Sequence, residues 1–270
     1  MSPGSLNEAI KRRKNIQASL EFTDNFQEQL RMAGMVQRDF LPRQLPNSER
    51  FHWSTNFMPA EWVSGDIYDV VRLDENHIGF YVADVVGHGI PAALLTIFVK
   101  QAMVMRETYG NSYRIFAPAE VMANVNRKMI TQSLSGNQFV TSCCCLLDTE
   151  TLELTYCRAG HPHPLLIRQG EEPRQLEGKG SLVGIFEGAE YTQQTVRLER
   201  GDKIMLYSDG AEPVIGHVDE SHQLRFSREF VSIKDLDAES FTAEFKELAV
   251  NHEFKAGELD DITTIALQIL

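Results

Sequence analysis

The chain has 270 residues, enough to bury a sizeable core, and its 43% hydrophobic and 24% charged content is that of a globular protein. A net charge of −12 excludes a partner held by broad attraction to a polyanion, so neither nucleic acid nor an anionic membrane is expected. A phosphorylated substrate remains open, because bound metal can make a local field positive.

In chain order, residues 6–40 read as helix, with apolar residues at Ile16, Leu20, Phe26, Leu30, Met35, Val36 and Phe40. The stripe does not hold clean heptads, and it must be buried either on the following domain or against a second copy. Pro42 and Pro46 end it. From Phe51 the period changes to two, predicting strands over Phe51–Pro59, Ile67–Leu73 and His77–Ala83. Helical patterns follow, from Ala92 to about Tyr109 and from Pro118 to about Leu134. Strands return at Phe139–Leu147, Leu152–Arg158, His163–Arg168, Thr192–Leu198 and Lys203–Tyr207. A helix from Ala238 to about His252 precedes a last strand, Thr263–Leu270. This order, without βαβ alternation, predicts an α+β layered sandwich. Cys143, Cys144 and Cys145 fall in one predicted strand, where neighbours face opposite sides; with Cys157 and no CxxC pair they read as reduced core residues. No signal peptide and no membrane-length apolar run is present, which makes a cytoplasmic location the expectation.

Acidic residues mark strand edges at four places: Gly65-Asp66, Asp84 at the end of Phe80–Ala83, Ser208-Asp209-Gly210, and Asp260-Asp261 before the last strand. Any one of them reads equally as a turn aspartate. Together they offer the several oxygen ligands that a hard divalent cation needs. Asp74 reads as a turn residue, and Asp69 fits either description.

The same stretches carry a family resemblance. Ser64-Gly65-Asp66-Ile67-Tyr68-Asp69 resembles S-G-D-F-Y-D, and Asp84 to Leu95 is similar to D-V-S-G-H-G-x-P-A-A-L-L. Ala159-Gly160-His161-Pro162-His163-Pro164 resembles A-G-H-P-P-P, Leu206 to Glu212 resembles L-Y-T-D-G-x-x-E, and Asp260-Asp261-Ile262-Thr263 resembles D-D-I-T. These are motifs of the SpoIIE/RsbU-type branch of the PPM (PP2C-like) serine/threonine phosphatases, and the resemblance runs from about Leu41 to Leu270. It implies an αββα sandwich from residue 47 to 270 with an N-terminal helical linker over 1–46.

It also implies two Mn²⁺ or Mg²⁺ ions and a metal-activated water that attacks a phosphoserine or phosphothreonine without a covalent intermediate. Asp84 and Asp209 would then be catalytic. The implied metal ligands are Asp84 as the bridge, the Val85 carbonyl, Asp66, Asp209 and Asp260, with Asp261 in place of Asp260 if the doublet is used in the other register. The implied substrate is a phosphorylated STAS-type anti-sigma-factor antagonist, and the alternative is a catalytically silent scaffold on the same fold. Gln37-Arg38-Asp39-Phe40-Leu41-Pro42 resembles the Q-x-x-L-L-P linker beneath upstream sensor or receiver domains, which implies signal coupling and a homodimer through the helix. Two departures stand out. No arginine matches the phosphate-binding one of eukaryotic PP2C enzymes, and His88 stands at a different offset from their histidine. His88 and His161 therefore read as turn residues.

Overall fold

Alternation along the strands makes two sheets, and both faces of each are covered. The computed structural model describes residues 23–134, 136, 138–219, 223–255 and 259–270. The first sheet has the order β1-β14-β11-β8-β9, from Phe51–Met58, Ile262–Ile269, Lys203–Tyr207, Leu165–Ile167 and Arg174–Gln175. The second has the order β10-β7-β6-β3-β2, from Gln193–Arg197, Glu153–Ala159, Val140–Asp148, His77–Val85 and Asp66–Arg72. Every strand pair within them is antiparallel.

Ile78, Phe80 and Val82 of β3 face the other sheet, where they meet Trp53, Leu206, Ile265 and Leu267 in one apolar layer. The Trp53 and Phe80 rings stand edge to face with centroids 4.9 Å apart. Tyr81, Ala83 and Val85 point the other way, under helices α2 (Ile90–Ala102) and α3 (Pro118–Gln132). A second helical layer, α5 (Arg228–Ile233) and α6 (Ala238–Asn251), covers the first sheet through Phe230, Phe241 and Phe245. Side-chain caps start both helices: Ser227 accepts from the Phe230 N–H at 3.0 Å, and Asp237 accepts from those of Glu239 and Ser240. The result is the expected αββα sandwich.

The cysteines divide by strand parity as expected. Cys143 and Cys145 lie between the sheets, Cys144 and Cys157 lie opposite each other beneath the helices, and all four are free.

The predicted helix from Ala92 to Tyr109 is too long. Its chain leaves the helix at Ala102 and forms a hairpin, β4 (Arg106–Tyr109) with β5 (Ser112–Ile115). Met103 and Met105, which fit a helical stripe in sequence, are instead buried from the irregular stretch between α2 and β4. The Arg106 guanidinium lies 4.1 Å from the Tyr113 ring centroid, and the Tyr113 hydroxyl donates to Asp74 Oδ2 at 3.0 Å. Tertiary contacts thus override the helical pattern locally. Further pieces have no counterpart among the predicted elements: β9, α5, a short turn of helix, α4 (Glu212–Ile215), and the hairpin β12 (Gly216–Val218) with β13 (Leu224–Phe226).

The N-terminal helix is present over residues 23–39 (α1), with Phe40 in the turn that follows, and residues 6–22 of its predicted span lie outside the described residues. Among the described residues no helix is long and apolar enough to cross a membrane.

Phe230 is fully buried and touches the rings of Phe226, Phe241 and Phe245. Phe230→Ala is expected to lower the unfolding free energy by about 3–5 kcal/mol in a denaturant titration. A loss below about 1 kcal/mol would contradict the role given to this aromatic layer.

Candidate metal centre

The apolar layer between the sheets ends in polar side chains, and strand register decides which. Asp66 stands directly opposite Asp84 across β2 and β3, and Asp84 stands opposite Thr141 across β3 and β6. Directly opposite residues share a face, so these three form a row on the inward side, one step beyond Tyr68, Val82 and Cys143. The other sheet contributes Ser208 and Thr263, both completely buried. Their contact joins the ends of β11 and β14: Ser208 Oγ accepts from the Thr263 N–H at 2.9 Å and donates to the Asp261 carbonyl at 3.1 Å.

Two glycine-rich turns bring the remaining acids to this end. After β3 the chain passes Gly87 and Gly89 at φ of 94° and 75°, a region costly for side chains with a Cβ. Pro91 then opens α2. After β11, Asp209 starts a tight helical turn in which Gly210 packs on the Asp260-Asp261 backbone. A Cβ on Gly210 would lie 2.3 Å from the Asp261 carbonyl oxygen, so only glycine fits.

A crevice of about 480 Å³ opens above the row, with Asp84, Asp209, Asp260, Thr141, His88 and Gly89 among its walls. An adjoining crevice of about 580 Å³ shares Asp209 and Asp260 and is flanked by Glu212, His217, His252 and Lys255. Asp66 lies beneath at 1% exposure, and its Oδ2 has no hydrogen-bond partner.

Such crowding has an electrostatic signature. Burial, then Asp84, raises Asp66 well above the usual carboxylate range, with the Ser208 and Thr263 side chains working the other way. Burial, then Asp209, Asp260 and Asp261, pushes Asp84 up to about 7. Asp209 is open to solvent by surface area, yet protein packed around its carboxyl, followed by Asp260, raises it too. Burial raises Glu212 as well, and Asp209 adds to it.

The Asp260-Asp261 doublet is resolved by hydrogen bonding. Asp261 accepts from the Ala60 N–H at 2.8 Å and the Gly65 N–H at 2.7 Å, one on each oxygen. It ties the last strand to the entrance of β2. Asp260 is exposed and lines both crevices. Val85 is buried, with its N–H bonded to the Gly65 carbonyl at 2.9 Å.

Asp69 lies on the opposite side of β2 and pairs with Lys100 of α2 at 2.5 Å, outside the crevice. Asp74 accepts from the N–H groups of Asn76 and His77, as a turn residue does. His88 is exposed on the crevice wall.

The donor set fits hard divalent cations. It is all oxygen, it includes an orphaned buried carboxylate atom, and burial with like-charge repulsion makes neutralisation favourable. Among the described residues no group of three or more His, Cys, Asp or Glu is closed into a ready ligand set. Binding would therefore draw these side chains inward.

Fold and site together define a PP2C-like α+β sandwich with an acidic end. The chain belongs to the SpoIIE family: the family model Stage II sporulation protein E (SpoIIE) matches residues 74–270. It is 33% identical over 183 residues to the phosphoserine phosphatase RsbU of Bacillus subtilis (strain 168), a match covering 67% of this chain and 52% of RsbU. The chain spans about half the length of the curated relatives it matches. The SiaA-PP2C domain of Pseudomonas aeruginosa superposes with a TM-score of 0.73 at 23% identity, covering 92% of this chain and 98% of that one. RsbX in complex with magnesium superposes with a TM-score of 0.59 at 17% identity, covering 84% and 99%.

A carboxyl raised in the fold holds its proton longer than in the unfolded chain. Stability therefore falls as pH rises from the unfolded pKa through the folded one, for Asp84 from about 4 to about 7. In a chelator, the wild-type melting temperature is expected to fall behind that of Asp84→Asn by roughly 3 °C or more between pH 5 and pH 8. A constant difference across that range would contradict the buried-charge assignment.

Proposed function

We propose that the chain is a metal-dependent protein serine/threonine phosphatase. The observation that carries this reading is the buried Asp66 carboxylate, with its Oδ2 unpartnered, facing Asp84 at the floor of an open acidic crevice. Asp84, Asp66, Asp209 and Asp260 would hold divalent cations, Mn²⁺ or Mg²⁺, with the Val85 carbonyl as a further ligand. Asp261 has both oxygens engaged by backbone N–H groups, which favours Asp260 as the ligand of the doublet. That RsbX is a magnesium complex and RsbU a phosphoserine phosphatase supports both the ions and the activity.

When bound, such ions supply Lewis-acid charge that acidifies water and neutralises phosphoryl oxygens. The chain's own part is to hold them and to shape the crevice. Asp84 stands on the floor row and Asp209 on the wall, so the attacking water and the phosphoryl group meet between two sheet ends held rigid by strand pairing. Water adds its oxygen to phosphorus, the bond to the seryl oxygen breaks, and that oxygen leaves with a proton. The adjoining crevice at Glu212, His217 and Lys255 gives room for polypeptide beside the phosphoserine, which favours a protein substrate over a small ester. Following the family resemblance, that substrate is a phosphorylated STAS-type anti-sigma-factor antagonist in a partner-switching pathway.

The helical segment up to residue 46 reads as an input linker. Gln37 of α1 is buried, donates to the Ser64 carbonyl at 2.7 Å and Thr96 Oγ1 at 3.0 Å, and accepts from the Ser64 N–H at 2.9 Å. One amide thus touches both the residue before Gly65-Asp66 and the helix after the Gly87–Gly89 turn. Met32, Met35 and Val36 of α1 are each more than half exposed, an apolar face suited to a second copy.

Asp84→Asn and Asp209→Asn are each expected to lower Mn²⁺-dependent phosphate release by more than the roughly 10–100-fold typical of an outer-shell loss. Full activity in either would overturn the proposal. Removing residues 1–40 is expected to give a monomer of lower activity, read by light scattering and phosphate release. Unchanged size and rate would remove the linker role.

A further inference from the structure

The row Asp66, Asp84, Thr141 does not stop at the strand. Thr141 Oγ1 lies 2.8 Å from Nδ1 of His161, which reaches in from the turn after β7 and is 1% exposed. The Arg158 guanidinium holds that turn by donating to the His161 carbonyl. A crevice-wall hydroxyl is therefore backed by a buried imidazole.

The state of that ring follows from its surroundings. Burial, then the charge of Arg158, pushes His161 down to about 3, so the ring is neutral. A neutral imidazole carries one N–H and one lone pair. Nε2 is fully buried without a hydrogen-bond partner, and the Tyr207 backbone acts on the ring in the direction that favours an N–H. The Nδ1–Thr141 bond can run in either sense, and the hydrogen is assigned to Nε2, which leaves Nδ1 its lone pair. Thr141 must then donate its hydroxyl hydrogen to His161. With that hydrogen committed, Oγ1 can present only lone pairs to the crevice it shares with Asp84, Asp209 and Asp260.

We propose that His161 locks Thr141 Oγ1 as an acceptor-only atom on the crevice wall, and that this oxygen orients the attacking water by accepting one of its hydrogens. An acceptor-only wall cannot bind a phosphoryl oxygen, so it reserves its place for water and not for substrate. Thr141 is the residue that touches the reacting water, and His161 is a positioning residue that acts through it. The inference rests on the phosphatase reading above.

Two measurements test it. Two-bond ¹⁵N–¹H correlations of the His161 ring near neutral pH are expected to show the Nε2–H tautomer. A Nδ1–H tautomer or a protonated ring would overturn the proposal without reference to activity. In phosphate-release kinetics on a phosphoserine protein, Thr141→Val is expected to lower kcat by about ten- to a hundredfold. KM and Mn²⁺ affinity, the latter measured by calorimetry, should stay within about twofold, and Thr141→Ser should return kcat to within about threefold of wild type. A merely structural brace predicts changed melting temperature with unchanged kcat, and that result, or an inactive Thr141→Ser with an active Thr141→Val, would overturn it. If the wild-type chain releases no phosphate with Mn²⁺, the phosphatase reading fails and this inference with it. An active wild type with an equally active Thr141→Val overturns this inference alone.

Discussion

Two carboxylates placed opposite each other at the end of an apolar core are the constraint on which the rest depends. Asp66 and Asp84 are locked in register by β2 and β3, and Asp66 has no water to retreat to. Like charges so placed resist joint ionisation unless a cation stands between or beside them. The surrounding architecture holds them there nonetheless. Asp261 ties the last strand to the backbone before Asp66, Ser208 joins the ends of β11 and β14, and Gly210 lets the Asp209 turn settle against the doublet. The fold sustains that repulsion by rigid packing, although the acidic side chains are not closed into a ready ligand set among the described residues.

That frame was legible in the sequence where the signal was local. An aspartate beside a glycine at the end of an apolar run is visible in a handful of residues, and all four acidic elements do converge on one end of the sandwich. Parity along β6 likewise told that neighbouring cysteines face opposite sides. What stayed hidden depends on distant partners. Asp260 and Asp261 are indistinguishable as a doublet, and only N–H groups some 200 residues earlier in the chain separate them. Asp69 fits two descriptions in sequence, and only its pairing with Lys100 of α2 separates them. The helix end before Tyr109 is hidden in sequence because Met103 and Met105 satisfy a helical stripe and a buried irregular segment equally well.

Thr141 is the instructive omission. Its position opposite Asp84 follows from strand pairing, which sequence periodicity does not specify, and its link to His161 crosses two strands. In sequence the A-G-H-P stretch reads only as a turn. In the fold it carries a buried imidazole to the wall of the acidic crevice, which is a reason for a histidine there beyond turn geometry.

The linker contact gives the site a second dependence. Gln37 bonds to Ser64 and Thr96 at once, so α1, the entrance to Asp66 and the helix following the Asp84 turn share one buried amide. A movement of α1 cannot leave both neighbours unchanged, because a buried amide stripped of its partners is costly.

The central claim is that this end of the sandwich is a divalent-cation site. Crystals grown with Mn²⁺ and measured at the manganese absorption edge test it most directly. The account predicts anomalous peaks in the crevice among Asp66, Asp84, Asp209 and Asp260, with Asp261 still bonded to the backbone of Ala60 and Gly65. Saturating Mn²⁺ with no peak there, or with peaks only elsewhere on the molecule, would contradict it.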